Sequence, residues 1–274
     1  MKWIRFVDND TNRGAGVIRY GMVDGEEVSV TEHTFADLLA GNEPTVIGTQ
    51  ELATIAALNP VPTPGKIVAI GLNYLDHCRE TNTEPPKQPL VFTKFNTSLL
   101  DPGAEITWSG ELTQKVDYEA ELAVVIGRQC RNVSEADALS HVFGYTAAND
   151  VSARDLQFGD GQWVRGKSLD TFCPVGPVLV TAEDIPDPQT LPISSVLNGE
   201  VMQASNTDNM IFSVAQLISF CSHSFTLEPG DLILTGTPHG VGLGRSPEVY
   251  MQNGDLIEVV IDHIGALANP CRVL

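Results

Sequence analysis

The chain is expected to fold as a β-rich α+β protein with a small N-terminal α+β domain, and three observations predict this. Short apolar runs fenced by Gly, Pro and Asp recur along most of its 274 residues, the signature of strands more than of helix pieces. Only one long stretch carries helical periodicity. The segment Asn59-Pro-Val-Pro-Thr-Pro-Gly65 sets three prolines at alternate positions, each fixing φ and removing a donor. It is the best boundary in the chain, so the expected domains are 1–62 and 63–274.

In chain order, residues 2–7 and 16–30 carry β-type residues, the latter broken by the turn-forming pair Asp24-Gly25. Residues 34–40 and 51–58 are short and helix-friendly. Beyond the prolines, the runs 66–71, 89–95, 121–127, 176–181, 230–236 and 254–265 read as strands. A short helix is expected after Ser134, with Asp137 placed as in a capping box. From Asp208, apolar residues recur at Met210, Ile211, Val214, Leu217, Ile218 and Cys221, so a helix there packs one face on a sheet.

Composition removes several function classes. Lys+Arg number 16 against 35 Asp+Glu, a net −19, which repels nucleic acid and anionic membrane alike. No run approaches the ~20 apolar residues of a spanning helix. The five cysteines are odd in number, widely spaced and form no C-x-x-C, so neither a disulfide framework nor a thiolate zinc site is indicated. The opening residues meet an Asp-Asn-Asp run before any apolar secretory core. The expectation is a soluble, reduced, cytoplasmic protein.

Chemistry concentrates at a few places. In the run 116–127, Glu119 and Glu121 are two apart and share one face of a strand that continues into an apolar core. Two such carboxylates repel unless a cation lies between them; hydrated acids at a strand end are the open alternative. Asp150 ends another strand-like run. Three carboxylates without a His or Cys cluster make a hard site suited to Mg2+ or Mn2+, with open positions for a chelating substrate. Asn73 is a candidate N-cap for a helix that sets His77 and Glu80 at i, i+3. A carboxylate beside an imidazole supports its basicity and suits it to activating water; a solvated surface pair is the bland alternative. The prolines that follow leave that helix short, and a mobile cover over residues 73–89 is the inference. Gly166 before Lys167 indicates close backbone packing, although a solvated lysine is the commoner case. The Gly-rich run 234–242 either cradles an anion with backbone amides or is a plain turn.

At this point the ordered motifs GLNYxDHxxE (71–80), PLVFxKxxTSLL (89–100), VDYExELAVVIG (116–127), GYTxANDVSARDLQ (144–157), RGKSLDTFCPxGP (165–177), LNGExxQ (197–203) and PGDLILTGTPxGVG (229–242) resemble the fumarylacetoacetate hydrolase family. The likeness is to its smaller acylpyruvase and 2-hydroxyhepta-2,4-diene-1,7-dioate isomerase-like members. It spans most of residues 65–274, and the leading sixty match only loosely. The resemblance implies a mixed β-roll catalytic domain, a homodimer and a Mg2+ or Mn2+ cofactor. It implies Glu119, Glu121 and Asp150 as metal ligands and His77 and Glu80 as the water-activating pair, with Lys167 also catalytic. Arg154, Gln157, Lys167 and Thr237 would meet the carboxylate and oxo groups of a small anionic 2-oxo acid.

Such a site suits an acylpyruvate, which can chelate an ion through its carboxylate and 2-oxo oxygens. Breaking a bond to C3 leaves electrons that a Lewis acid can accommodate. The leading expectation is hydrolytic C–C cleavage to pyruvate and a second acid. The alternatives are decarboxylation of an oxaloacetate-type acid, isomerisation or tautomerisation on the same site, and, less favoured, a non-catalytic metabolite-binding protein. The net −19 does not bar an anionic substrate, because screening over ~8 Å leaves capture to local charges.

Overall fold

The structure, a computed structural model, describes residues 1–274. It is mostly β, as expected. The largest sheet has twelve strands. Its path runs Val46–Glu51, Glu27–Thr31, Val17–Asp24, Lys2–Asp8, Cys173–Thr181, Val142–Asn149, Ala120–Ile126, Leu232–Leu234, Ile67–Gly71 and Leu90–Lys94, with Ala57–Leu58 and Leu99–Leu100 attached beside it. Most pairs are antiparallel; Leu232–Leu234 runs parallel to Ile67–Gly71, and Leu99–Leu100 runs parallel to the start of Cys173–Thr181. A second sheet of five strands follows the order Glu200–Asn206, Pro192–Leu197, Leu256–Ile261, Gly265–Val273 and Ile106–Trp108. A short ladder joins Val116–Asp117 to Ser152–Ala153.

The central strand Ala120–Ile126 is buried at every position, which explains the unbroken apolar run 122–126 that follows Glu121. Its side chains alternate between two cores. Leu122, Val124 and Ile126 join the inner residues Ile193, Val259, Ile261 and Leu267 of the five-stranded sheet. Ala123 and Val125 face Ile67, Ala69, Leu232 and Leu234, with Trp3, Tyr20 and Leu38 from the N-terminal segment. Burying one fully apolar side chain of this kind stabilises by roughly 1.5–3 kcal/mol, so this strand anchors whatever lies at its ends.

The proline-rich segment lies between Ala57–Leu58 and Ile67–Gly71. The N-terminal strands continue the large sheet: Lys2 pairs with Val180 and Trp3 with Leu179. Ile4, Phe6, Val28 and Val30 enter the same core as Leu122.

Two local expectations are corrected. The long helix is Val214–Ser224 and begins six residues later than its periodicity indicates, because Ser213 and Gln216 form the capping box and Asn206 caps a single 3-10 turn over Thr207–Asn209. The stretch 51–58 is not helical apart from the turn Leu52–Thr54; Val46–Glu51 and Ala57–Leu58 are strands, since pairing with Glu27–Thr31 and Lys2–Asp8 overrides weak local preference. At Ser134 only half of the expected capping box forms: the Ser134 hydroxyl accepts from the Asp137 amide, and the Asp137 carboxylate takes the Ser134 hydroxyl instead of its amide. All five cysteines are free and buried, and no helix is long and apolar enough to cross a membrane.

Candidate active site

Two neighbouring strand ends carry the acidic trio. Ala120 pairs with Asn149 and Glu121 with Ala148, so the residues flanking those pairs face one another. The Asp150 amide donates to the Glu119 carbonyl at 3.0 Å, which closes the corner. Glu119, Glu121 and Asp150 thereby bring carboxylate oxygens within 4.8 Å of one another, all buried. The strand itself starts at Ala120. Glu119 therefore precedes it, and Asp117 is not a further member of the same face. Asp117 turns instead toward Arg154, whose Nε donates to it at 2.8 Å.

Three cations surround the trio. Lys167, only 2 % exposed, donates to Glu119 Oε2 at 2.8 Å and to Asp150 Oδ2 at 2.7 Å. It is not a solvated surface lysine. Gly166 makes this possible: a Cβ there would lie 2.5 Å from the Gln157 amide nitrogen and 2.8 Å from the Ala153 carbonyl, backbone atoms that cannot yield cheaply. Lys94, 1 % exposed, pairs with Asp150 Oδ1 at 2.6 Å and donates to the carbonyls of Val151 and Lys167. Arg154 pairs with Asp117 and, at 2.7 Å, with Glu119 Oε1.

The electrostatics are uneven. Burial alone would raise Glu119, but Lys167 and Arg154 outweigh it and hold that carboxyl below its ordinary range. Burial also opposes charge on Lys167, yet Asp150 and Glu119 keep its ammonium above the usual value. Glu121 has less of this help: Lys167 acts on it only at a distance, without an ion-pair contact. Its recorded partner is the Gly236 amide, which donates at 2.8 Å, while the cation contacts fall on Glu119 and Asp150. Burial, Asp150 and Glu119 push it well above the ordinary carboxylate range. One buried carboxylate without a counter-ion, in an all-oxygen donor set, fits a hard divalent cation such as Mg2+ or Mn2+.

The His77–Glu80 pair forms on the short helix Leu75–Glu80. His77 Nδ1 lies 2.9 Å from Glu80 Oε2; with a carboxylate there, Nδ1 carries the proton and Nε2 is left basic. Asn73 does not cap this helix. Tyr74 holds the cap position, and the buried Asn73 side chain ties the segment to Phe212 and the Thr235 carbonyl. The Gly-rich loop after Leu232–Leu234 does cradle anions, but they are the protein's own: its amides donate from Gly236 to Glu121, from Gly240 to Glu80, and from Gly242 and Leu243 to Asp117. His239 pairs with Asp76 at 3.1 Å.

A cavity of about 220 Å³ joins these parts; His77, Glu119, Arg154, Gln157, Lys167 and Thr237 all line it. Gln157 accepts from Arg154 at 3.0 Å, and Thr237 accepts from Gln203 at 2.8 Å. Arg154 is thus held by Asp117 and Glu119 before any substrate arrives. Sequence reasoning missed Lys94, Asp117 and Gln203. A lone lysine inside the apolar run 89–95 was a usable signal for the first, and an acid two residues before Glu119 for the second. Gln203 is marked only as the last letter of the motif LNGExxQ (197–203).

Residues 66–272 match the family described as Fumarylacetoacetate (FAA) hydrolase C-terminal. The oxaloacetate tautomerase fahd2 of Xenopus laevis, a mitochondrial protein, is 49% identical over 220 residues, 80% of this chain and 69% of that one. The fumarylacetoacetate hydrolase structure from Exiguobacterium antarcticum is 39% identical, covers 100% of both chains and superposes with a TM-score of 0.89. The 2-hydroxyhepta-2,4-diene-1,7-dioate isomerase from Mycobacterium marinum is 37% identical over 100% of this chain and 98% of that one, with a TM-score of 0.82. Of these three relatives, one is named as a tautomerase, one as a hydrolase and one as an isomerase. With the acidic trio at the end of its central strands and a match over most of its length, the chain belongs to the fumarylacetoacetate hydrolase family.

Proposed function

We propose that the protein moves a proton at C3 of a small 2-oxo acid, interconverting keto and enol forms, with Glu119, Glu121 and Asp150 holding Mg2+ or Mn2+. The observation that carries this reading is the buried trio, in which Glu121 has no ion-pair partner, with Glu119 of the trio and His77 lining one cavity. When bound, the ion would supply Lewis-acid stabilisation of negative charge on the 2-oxo oxygen. The chain's own residues do the rest. Lys167 and Arg154 attract the substrate carboxylate and oxo group, and Gln157 and Thr237 orient them. His77 Nε2, free to accept because Glu80 holds the proton on Nδ1, takes the C3 proton as the electrons shift to the oxo oxygen; the Lys167 ammonium supplies the balancing proton. The names of the relatives, an oxaloacetate tautomerase and a dienedioate isomerase, agree with proton transfer of this type.

Hydrolytic C–C cleavage of an acylpyruvate is the second reading, favoured by the His77–Glu80 pair, which could equally activate water. Decarboxylation of oxaloacetate uses the same electron flow. The test is to follow oxaloacetate enol decay, CO₂ release and pyruvate release from acetylpyruvate, each with and without Mg2+. Acceleration of enol decay alone supports the proposal. Pyruvate with acetate from acetylpyruvate as the dominant reaction would replace it with the hydrolase. A homodimer belongs to the same proposal and is tested by sedimentation.

A further inference from the structure

The cavity has two unlike halves. The cations that line it, Arg154 and Lys167, both sit at the acidic trio and are already engaged by Asp117, Glu119 and Asp150. From Lys167 outward the wall turns apolar. The Lys167 ammonium lies 5.2 Å from the centre of the Phe92 ring, and Phe92 packs edge-on against Trp163 at 5.4 Å. Trp163 in turn covers Gly71 so closely that a Cβ there would come within 2.4 Å of the indole. Leu72, Leu243 and Phe158 complete this side. Phe158 is 58% exposed. The uncharged polar side chains that line the cavity are Thr81, Thr83, Gln157 and Thr237.

We infer that the substrate is a 2-oxo acid extended beyond C4 by an uncharged, apolar tail, which lies along Phe92, Trp163 and Phe158, and not a long dicarboxylic acid. The inference rests on reading the site as one for 2-oxo acids. A terminal carboxylate carried to the outer wall would be desolvated against aromatic rings with no cation to pair with, and unpaired buried charge is strongly disfavoured. An alkyl or aryl tail of the same reach instead buries apolar surface on both partners.

The test compares two acids of matched length, 2-oxoheptanoate and 2-oxoadipate, which differ in whether the chain ends in carbon or carboxylate. Affinity is measured by calorimetry on the Mg2+-supplemented protein, and enolisation by deuterium exchange at C3 followed by NMR. The expected result is that 2-oxoheptanoate binds about tenfold or more tighter, and that Phe158→Arg narrows the gap by improving 2-oxoadipate. Equal binding, or tighter binding of 2-oxoadipate, overturns the apolar-tail inference while leaving the 2-oxo acid reading in place. Preferential binding of 2-oxoheptanoate without C3 exchange supports the tail but overturns enolisation. Binding of neither acid overturns both.

Discussion

Replacing Glu121 with Gln should have opposite effects on the metal-free and metal-loaded protein. Its carboxylate lies within 4.8 Å of those of Glu119 and Asp150, and a pair of unit charges at that separation repels by about 3 kcal/mol at an effective dielectric of about 20. Lys167, Lys94 and Arg154 offset part of this, but they contact the other two acids. In the folded, metal-free protein Glu121 titrates well above its ordinary 4.5. A raised carboxyl contributes stability that is complete below the unfolded value and is lost as pH rises through the folded one. Metal-free wild type should therefore weaken as pH rises above 4.5 relative to Glu121→Gln, with the variant at least about 1 kcal/mol more stable at alkaline pH. Metal reverses the order. Mg2+ at a hundred times its Kd should add about 2.7 kcal/mol to wild type, a rise of roughly 5 °C in Tm for a chain of this size, and almost nothing to the variant. Thermal denaturation across pH, with EDTA or with Mg2+, reads both effects. A variant that is less stable without metal and keeps its Mg2+ shift would refute the assignment of Glu121 as an uncompensated ligand.

Other expectations follow from the same geometry. His77→Ala should lower turnover by about 10²–10⁴-fold while leaving the Mg2+-induced Tm shift intact; loss of both would make the helix Leu75–Glu80 part of the metal site instead. Gly166→Ala should cost about 1–3 kcal/mol through overpacking against the Gln157 backbone, and should raise KM by displacing Lys167, as denaturant titration and steady-state kinetics would show; wild-type values for both would mean the backbone yields freely. Asp117→Asn leaves Arg154 with Glu119 alone and should destabilise by about 3 kcal/mol; a urea midpoint equal to wild type would contradict the buried pair.

Local pattern carried much of this protein. The strands around 66–71, 121–127 and 254–265 announce themselves because each must be apolar enough to lie in a core, and the spacing of Glu119 and Glu121 or of His77 and Glu80 follows from the backbone repeat of the elements that hold them. Where neighbours in space override the local pattern, the reading failed. Asn73 looks like a cap, yet its amide serves Phe212 and Thr235. The Gly-rich loop looks ready for a ligand anion, yet its Gly236, Gly240 and Gly242 amides are spent on Glu121, Glu80 and Asp117.

What the amino-acid order determined alone was the β-rich architecture, the family resemblance and the identity of the three acids. Which cations answer those acids was decided only in three dimensions. Lys94 meets Asp150 across 56 positions and Gly242 meets Asp117 across 125, contacts that exist because the sheet brings distant strand ends together. The same closure excludes water, and a charge pair that would be worth little on the surface becomes decisive once it is buried. That is why Lys167 reads as an ordinary lysine in the chain and stands at the centre of the site in the fold.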